Sequence, residues 1–214
     1  MSLPRRPLAV VFDLDGTLID SEALVREAHF AACDQLGYSM SEEQFLGLVG
    51  MHREANDAQL KRYYGDDFPL QTFILATRAH VGERVAPLKP GATELMDALD
   101  ELRLPFGLAT SSRRPWVERH FLAHALTDRF RAVVTRQDCV EGKPHPEPYL
   151  NASRLLGASP ADVLALEDSH AGVASAHAAG CMTVMVPDLL APTEEQRARA
   201  LVLNSLSDVL TLLR

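Results

Sequence analysis

The stretch Leu8-Ala9-Val10-Val11-Phe12-Asp13-Leu14-Asp15-Gly16-Thr17-Leu18 runs five apolar residues straight into two carboxylates. A short, continuous, Val- and Phe-rich run fits a central parallel strand buried on both faces. Side chains alternate along a strand, so Asp13 and Asp15 point one way and Leu14 the other. Gly16 lets the backbone turn sharply just after them. Two like charges are thereby held side by side at the carboxyl end of a buried strand, where open α/β sheets place their ligand crevice. Such a pair keeps a proton or binds a cation, which serves chemistry rather than stability.

The rest of the chain can build the sheet that this strand needs. Its 214 residues are 47% apolar and 23% charged, enough for one large core or a core with an insertion, and too apolar for disorder. The net charge is −8, and the basic residues cluster no further than Arg5-Arg6 and Arg113-Arg114, which argues against nucleic acid as a partner. No apolar run approaches membrane-spanning length, and the charged, proline-containing start lacks a signal-peptide core. Cys33, Cys139 and Cys181 form no CxxC and read as reduced, inert thiols of a cytoplasmic protein.

From Ser21 to about Val85 the periods are helical and strand-like runs are missing. Ser21 fits an N-cap ahead of Leu24, Val25, Ala28 and Ala32 on one face, and Gly37 fits the stop. Ser41 and Gln44 form a capping-box pattern, and further helical periods cover residues 60–64 and 73–85. Leu88-Lys89-Pro90-Gly91 marks the return, after which strands and helices alternate. Helices are expected over 91–102 (with Leu95, Met96, Leu99 and Leu102 inward), 115–125, 146–156, 171–179 and 206–213. Strands are expected over 105–110, 132–135, 163–166 and 182–186, the last being the final clear one. The expected fold is α/β, a Rossmann-like doubly wound parallel sheet, with residues 1–20 and 87–214 as the core domain and 21–86 as an inserted all-helical domain.

Three of these strands end in polar groups: Asp13 and Asp15; Thr110-Ser111-Ser112; and Glu167-Asp168-Ser169. A loop, Glu141-Gly142-Lys143-Pro144, adds a lysine. In a doubly wound sheet all four lie along one edge. Taken singly, each has an ordinary reading: turn-capping aspartates, turn hydroxyls, a solvated lysine, an acidic pair favouring a helix N-terminus. Taken in order, Asp13-Leu14-Asp15-Gly16-Thr17, Thr110, Lys143 in Gly-Lys-Pro and Glu167-Asp168 resemble the four motifs of the haloacid dehalogenase superfamily, here with an α-helical cap formed by the insertion.

The resemblance implies roles. Asp13 is the expected nucleophile on phosphorus, and Asp15 the acid that protonates the leaving oxygen and then activates water. That acid role calls for a raised pKa. Thr110, with neighbouring N–H groups and Ser111, is expected to hold the phosphoryl group, and Lys143 to neutralise nucleophile and phosphate together. Asp13, Asp15, Glu167 and Asp168 bring four potential negatives against one lysine, and a phosphate monoester adds about two more. Oxygen-only ligands and a phosphate point to Mg²⁺, held by the Asp13 carboxylate, the Asp15 carbonyl and Asp168, with Glu167 acting through water.

Gly50-Met51-His52-Arg53-Glu54 falls where related proteins place a specificity loop, so Arg53 is the candidate clamp for a second anionic group; Arg78 and Lys61 are weaker ones. His145 and His170 read as rim residues, and Asp20 as a local turn residue. The implied function is a Mg²⁺-dependent phosphatase for a small phosphorylated metabolite such as a sugar phosphate, acting as a monomer or weak homodimer. The alternative is a phosphomutase resembling β-phosphoglucomutase. That pattern has a His where this chain has Val25 and a Val where it has Thr17, and both departures favour hydrolysis. The presence of Asp15 argues against a dehalogenase or phosphonoacetaldehyde hydrolase. A catalytically silent regulatory module is the non-enzyme alternative, and none of the core groups is lost.

Overall fold

The computed structural model describes residues 3–49 and 53–213. The opening run forms strand β1, Ala9–Phe12, with all four residues buried. The chain then leaves the sheet for helices α1 (Ser21–Gln35), α2 (Glu42–Leu46), α3 (Arg53–Tyr64) and α4 (Leu70–Val81). It returns as α5 (Ala92–Glu101), β2 (Phe106–Ala109), α6 (Arg114–Ala123), β3 (Ala132–Val134), α7 (Glu147–Leu155), β4 (Val163–Glu167), α8 (His170–Ala178), β5 (Met182–Met185), α9 (Glu194–Arg199), β6 (Leu201–Val202) and α10 (Leu206–Leu213). The chain divides into two compact units, Met1–Asp20 with Pro87–Arg214, and Ser21–Ala86.

In the first unit every strand pairing is parallel, in the order β3-β2-β1-β4-β5-β6. The chain winds outward from β1 through β2 to β3, then crosses back to β4 and winds the other way. The reversal lies between β1 and β4, and the crevice of such a sheet opens at the carboxyl ends of those strands. The alternation that sets Asp13 on the Val11 side divides the core. Ala9, Val11, Ala109, Val134, Val163 and Ala165 pack against Tyr149 and Ala152 of α7 and Ala176 of α8. On the other side Phe12 and Phe106 meet Phe130 edge-on, and Phe121 of α6 completes the cluster. The parallel α/β architecture read from the sequence is the one observed.

Four local readings change. Leu102 is 37% exposed, because it follows the last turn of α5 as the C-cap and leaves the inward stripe of Leu95, Met96 and Leu99. α4 begins at Leu70 behind Pro69 and ends at Gly82 (φ +50), so it lies a turn earlier than its apolar periods suggest. α9 was not expected, although Thr193 and Gln196 form a capping box ahead of it. β6 extends the sheet beyond 182–186 by pairing Val184 with Leu201 and Met185 with Val202. Neither α9 nor β6 is long enough to display a hydrophobic period.

The helical unit has its own core. Phe45, Leu48, Leu60, Phe68 and Phe73 are buried with Ala32 and Cys33. Tyr64 stacks on Phe68 at 4.8 Å, and Tyr38 meets Phe68 edge-on at 5.0 Å. The Ser41–Gln44 capping box is formed in full at the start of α2.

Candidate active site

β1 ends by delivering Asp13, buried to 7% exposure, into the crevice. The backbone then folds tightly, with the N–H groups of Leu18 and Ile19 donating to the Leu14 carbonyl and that of Gly16 to the Ile19 carbonyl. Gly16 sits at φ +84, and a Cβ there would run into the Asp168 carboxylate. Two separate constraints therefore demand glycine: a left-handed backbone and the close approach of an acidic side chain.

The next strand, β4, ends in Glu167 and leads to Asp168. One carboxylate oxygen each from Asp13, Glu167 and Asp168 lies within 4.8 Å of the others, a grouping that can hold a cation. Lys143, carried by the loop between β3 and α7, sends its ammonium to Asp13 Oδ1 and to Glu167 Oε1, both at 2.5 Å. Tyr149 of α7 donates its hydroxyl to the same Glu167 oxygen at 2.7 Å. The other Glu167 oxygen accepts from the backbone N–H groups of Asp168 and Ser169 and from the Ser169 hydroxyl. A Cβ on Gly172 of α8 would overlap that carboxylate. Glu167, fully buried, thus accepts from Lys143, Tyr149, Ser169 and two backbone N–H groups. Asp168 accepts from the Thr17 hydroxyl at 3.2 Å.

Burial pushes the Asp13 carboxyl up to about 8, against the pull of Lys143 and with help from Glu167 and Asp15. Burial opposes the charge on Lys143, yet Asp13 and Glu167 outweigh it and hold the ammonium above its usual range. Burial, then Glu167, drive the Tyr149 phenol far upward, so it stays a donor. The picture is of too many carboxylates for one ammonium, which a divalent cation would balance.

Asp15 faces a different set of groups. Its Oδ2 accepts from the Ser112 hydroxyl at 2.5 Å, and its Oδ1 from the Trp116 indole N–H at 3.0 Å. Thr110 is buried at the end of β2, and its Oγ1 accepts the N–H of Ser112. Ser111 is exposed; the residue after it is the one that reaches an acidic side chain. Residues 50–52 of the candidate specificity loop, and the side chain of Arg53, lie outside the described residues. Arg78 lines a cavity inside the helical unit with His29, Asn56 and Asp57, and Lys61 is exposed. Asp20 reaches toward Lys89 at 3.9 Å, and its N–H bonds to the Pro87 carbonyl. His170 bonds the Ala191 carbonyl at 2.9 Å, and His145 Nδ1 accepts from the Glu147 N–H at 3.3 Å. All three cysteines are free.

Sequence reasoning placed Ser112 among the polar strand ends without its partner Asp15, and missed Trp116 and Tyr149. Trp116 and Tyr149 lie one turn into α6 and α7, beyond the strand ends where polar groups announce a crevice. The one available signal was that each is a large side chain with a polar tip, on a helix facing a charged sheet edge.

A parallel sheet whose switch point gathers an aspartate-rich strand end, a lysine and a second acidic pair belongs to a known class. Residues 10–186 match the haloacid dehalogenase-like hydrolase family, and the chain is a member of it. Hexitol phosphatase B of Escherichia coli O157:H7 is 32% identical over 209 residues, 95% of this chain and 93% of that protein. CbbY of Rhodobacter sphaeroides, solved in complex with phosphate, matches with TM-score 0.76 and 25% identity over 95% of this chain and 96% of its own. β-Phosphoglucomutase of Clostridium difficile shares the fold, with TM-score 0.72 and 19% identity over 95% and 93% of the two chains. Among the described residues no helix is long and apolar enough to cross a membrane.

Proposed function

We propose that this protein is a Mg²⁺-dependent phosphatase that hydrolyses a small phosphorylated metabolite, such as a sugar or polyol phosphate, through an aspartyl-phosphate. The observation that carries the reading is the Lys143 ammonium lodged between Asp13 and Glu167, beside Asp168, at the switch point of the sheet. Membership of a hydrolase family and likeness to a hexitol phosphatase support it.

In the first step the free Asp13 oxygen attacks phosphorus. A P–O bond forms to the carboxylate, the ester P–O bond breaks, and Asp15 gives its proton to the departing alkoxide. Lys143 fixes the other Asp13 oxygen and offsets charge on the transferring group. In the second step Asp15 takes a proton from water as it adds to the acyl-phosphate, and inorganic phosphate leaves with Asp13 regenerated. Thr110 and the N–H groups beyond β2 are suited to hold the phosphoryl oxygens.

The donor set fits Mg²⁺: it is all oxygen, anionic and tightly grouped. Asp13, Asp168 and the Asp15 carbonyl would hold the ion, while the hydrogen bonds already made to Glu167 suit it to anchoring Lys143. When bound, the ion supplies charge neutralisation and orientation of the phosphoryl group. Thr17, one of the positions that departs from the β-phosphoglucomutase pattern, braces Asp168.

The test is hydrolysis of p-nitrophenyl phosphate and a panel of sugar phosphates with Mg²⁺, with EDTA, and with EDTA followed by excess Mg²⁺. Activity should disappear in EDTA and return with Mg²⁺. Full activity in EDTA, or isomerisation of a hexose phosphate in place of phosphate release, would overturn the proposal.

A further inference from the structure

The Asp15 carboxylate is held by two neutral donors, both supplied by the segment that follows β2. Ser112 Oγ lies 2.5 Å from Oδ2, and Trp116 Nε1 lies 3.0 Å from Oδ1. Trp116 is itself fixed. Its ring centroid is 4.1 Å from that of His120, the Arg119 guanidinium lies over it at 5.9 Å, and its carbonyl meets His120 Nδ1 at 2.8 Å. His120 is fully buried, so the indole is braced from beneath by a side chain that cannot move away. The first turn of α6, with Pro115 inside it, thus aims one rigid N–H at one oxygen of Asp15.

We infer that Trp116 is a positioning residue, and that its indole N–H orients Asp15 so that Oδ2 is the oxygen that exchanges a proton with the leaving group and with water. The inference rests on the phosphatase reading for the chemistry it serves. The two donors differ in kind. An indole N–H can only donate, and it bonds more strongly to an unprotonated oxygen, so it biases the acid proton away from Oδ1 and onto Oδ2. A hydroxyl can donate or accept, so Ser112 satisfies Oδ2 whether or not that oxygen bears hydrogen. One oxygen is favoured as an acceptor and the other is left adaptable. A group that must be an acid in one step and a base in the next needs that arrangement. Without Trp116 the carboxylate is free to rotate about its last bond, whose torsional preference is broad, and the proton is shared between a useful and a useless oxygen.

The experiment compares Trp116→Phe with the wild type on two substrates of different leaving-group quality. Phe keeps a ring against His120 and Arg119 but lacks the N–H. An alkyl phosphate needs its leaving oxygen protonated; p-nitrophenolate leaves without help. Loss of orientation should therefore lower kcat/KM for a hexose phosphate by about ten- to a hundredfold, a fraction of what general acid catalysis supplies. The same variant should change the p-nitrophenyl phosphate value by less than about threefold, within the tolerance of ring-for-ring packing. KM for the alkyl ester should stay near the wild-type value, because Trp116 touches the acid and not the substrate.

Trp116 is the single tryptophan of the chain, so the protein has one indole N–H resonance in its proton spectrum. Asp15→Asn should move that resonance upfield. Equal losses on both esters, or no loss on either, would reduce Trp116 to a packing residue, as would an indole signal that ignores Asp15→Asn. If the wild type hydrolysed neither ester while the indole signal did respond to Asp15→Asn, the phosphatase reading would fall and the Trp116 grip on Asp15 would stand.

Discussion

Two buried clusters of this protein, one in each unit, differ in their chemistry. At the carboxyl edge of the sheet, Asp13 and Glu167 are sunk beside one ammonium, and the interaction is ionic. In the helical unit, the interior is a run of aromatic rings: His29 meets Phe45 and Phe73 edge-on at 5.6 and 5.4 Å, and Phe68 meets Phe73 at 5.4 Å. A buried ion set is weak support for a fold, since desolvation consumes most of its Coulombic gain. Packed aromatic rings return their burial almost in full. Substitutions in the first cluster should therefore act on chemistry more than on folding, and in the second on folding more than on chemistry.

The sharpest way to break that contrast is Asp13→Asn. The amide keeps the shape of the carboxylate but is no nucleophile, so turnover should drop by about 10⁴-fold, the scale seen when one member of a covalent catalytic set is removed. Far-ultraviolet circular dichroism should remain that of the wild type. A variant that unfolds instead would make the ionic cluster a structural element and erase the distinction. Second in size is Phe73→Ala. Phe73 is 2% exposed, and its loss should cost about 3–5 kcal/mol in urea denaturation of the full chain. A loss under about 1 kcal/mol would mean that the aromatic run is loosely packed and no better as support than the ions.

The two clusters were also unequally legible. The first was open to sequence reasoning because its residues sit at strand ends, where alternation and a following glycine fix direction: Asp13, Asp15 and Gly16 need only two local rules. The reach of Lys143 from a loop to both Asp13 and Glu167 is a property of the topology, and no spacing within the loop announces it. Trp116 and Tyr149 were invisible for the same reason, since a tyrosine on α7 reads as core until Glu167 is placed beside its hydroxyl. In the helical unit, periodicity revealed helices but not which rings would meet. α9 escaped because its six residues, mostly charged, have no apolar stripe, and its buried residue is Gln196.

A pH experiment probes the aromatic cluster from within. Burial lowers the His29 pKa below its ordinary 6.5, against the hydrogen bond its ring makes to the Val25 carbonyl. The unfolded chain then binds the extra proton more readily than the folded one. His29 thus contributes stability that is fully present above pH 6.5 and is lost as pH falls from there toward the lowered value. Between pH 7 and 5 the melting temperature should fall more steeply for the wild type than for His29→Phe. The difference is capped at about 1.4 kcal/mol per pH unit, the limit for one proton. Parallel curves would place His29 in contact with water in both states.

The smallest effect compares two copies of one device. Ser41 and Thr193 each head a capping box, closed by Gln44 in the helical unit and by Gln196 in the α/β unit. Ser41 and its bonds to Gln44 are exposed, so water can replace what Ser41→Ala removes, and the cost should be at the low end for a cap, about 0.5–1 kcal/mol. Gln196 is only 3% exposed, and its Oε1 accepts from the Thr193 hydroxyl and N–H. Thr193→Ala would leave a buried amide oxygen short of its main donor, which raises the expected cost to about 1–2 kcal/mol. Equal losses in urea melts of the two variants would mean that solvent reaches Gln196 as easily as Gln44. The edge around β6, the part of the sheet that sequence periodicity failed to reveal, would then open more readily than the rest of the unit.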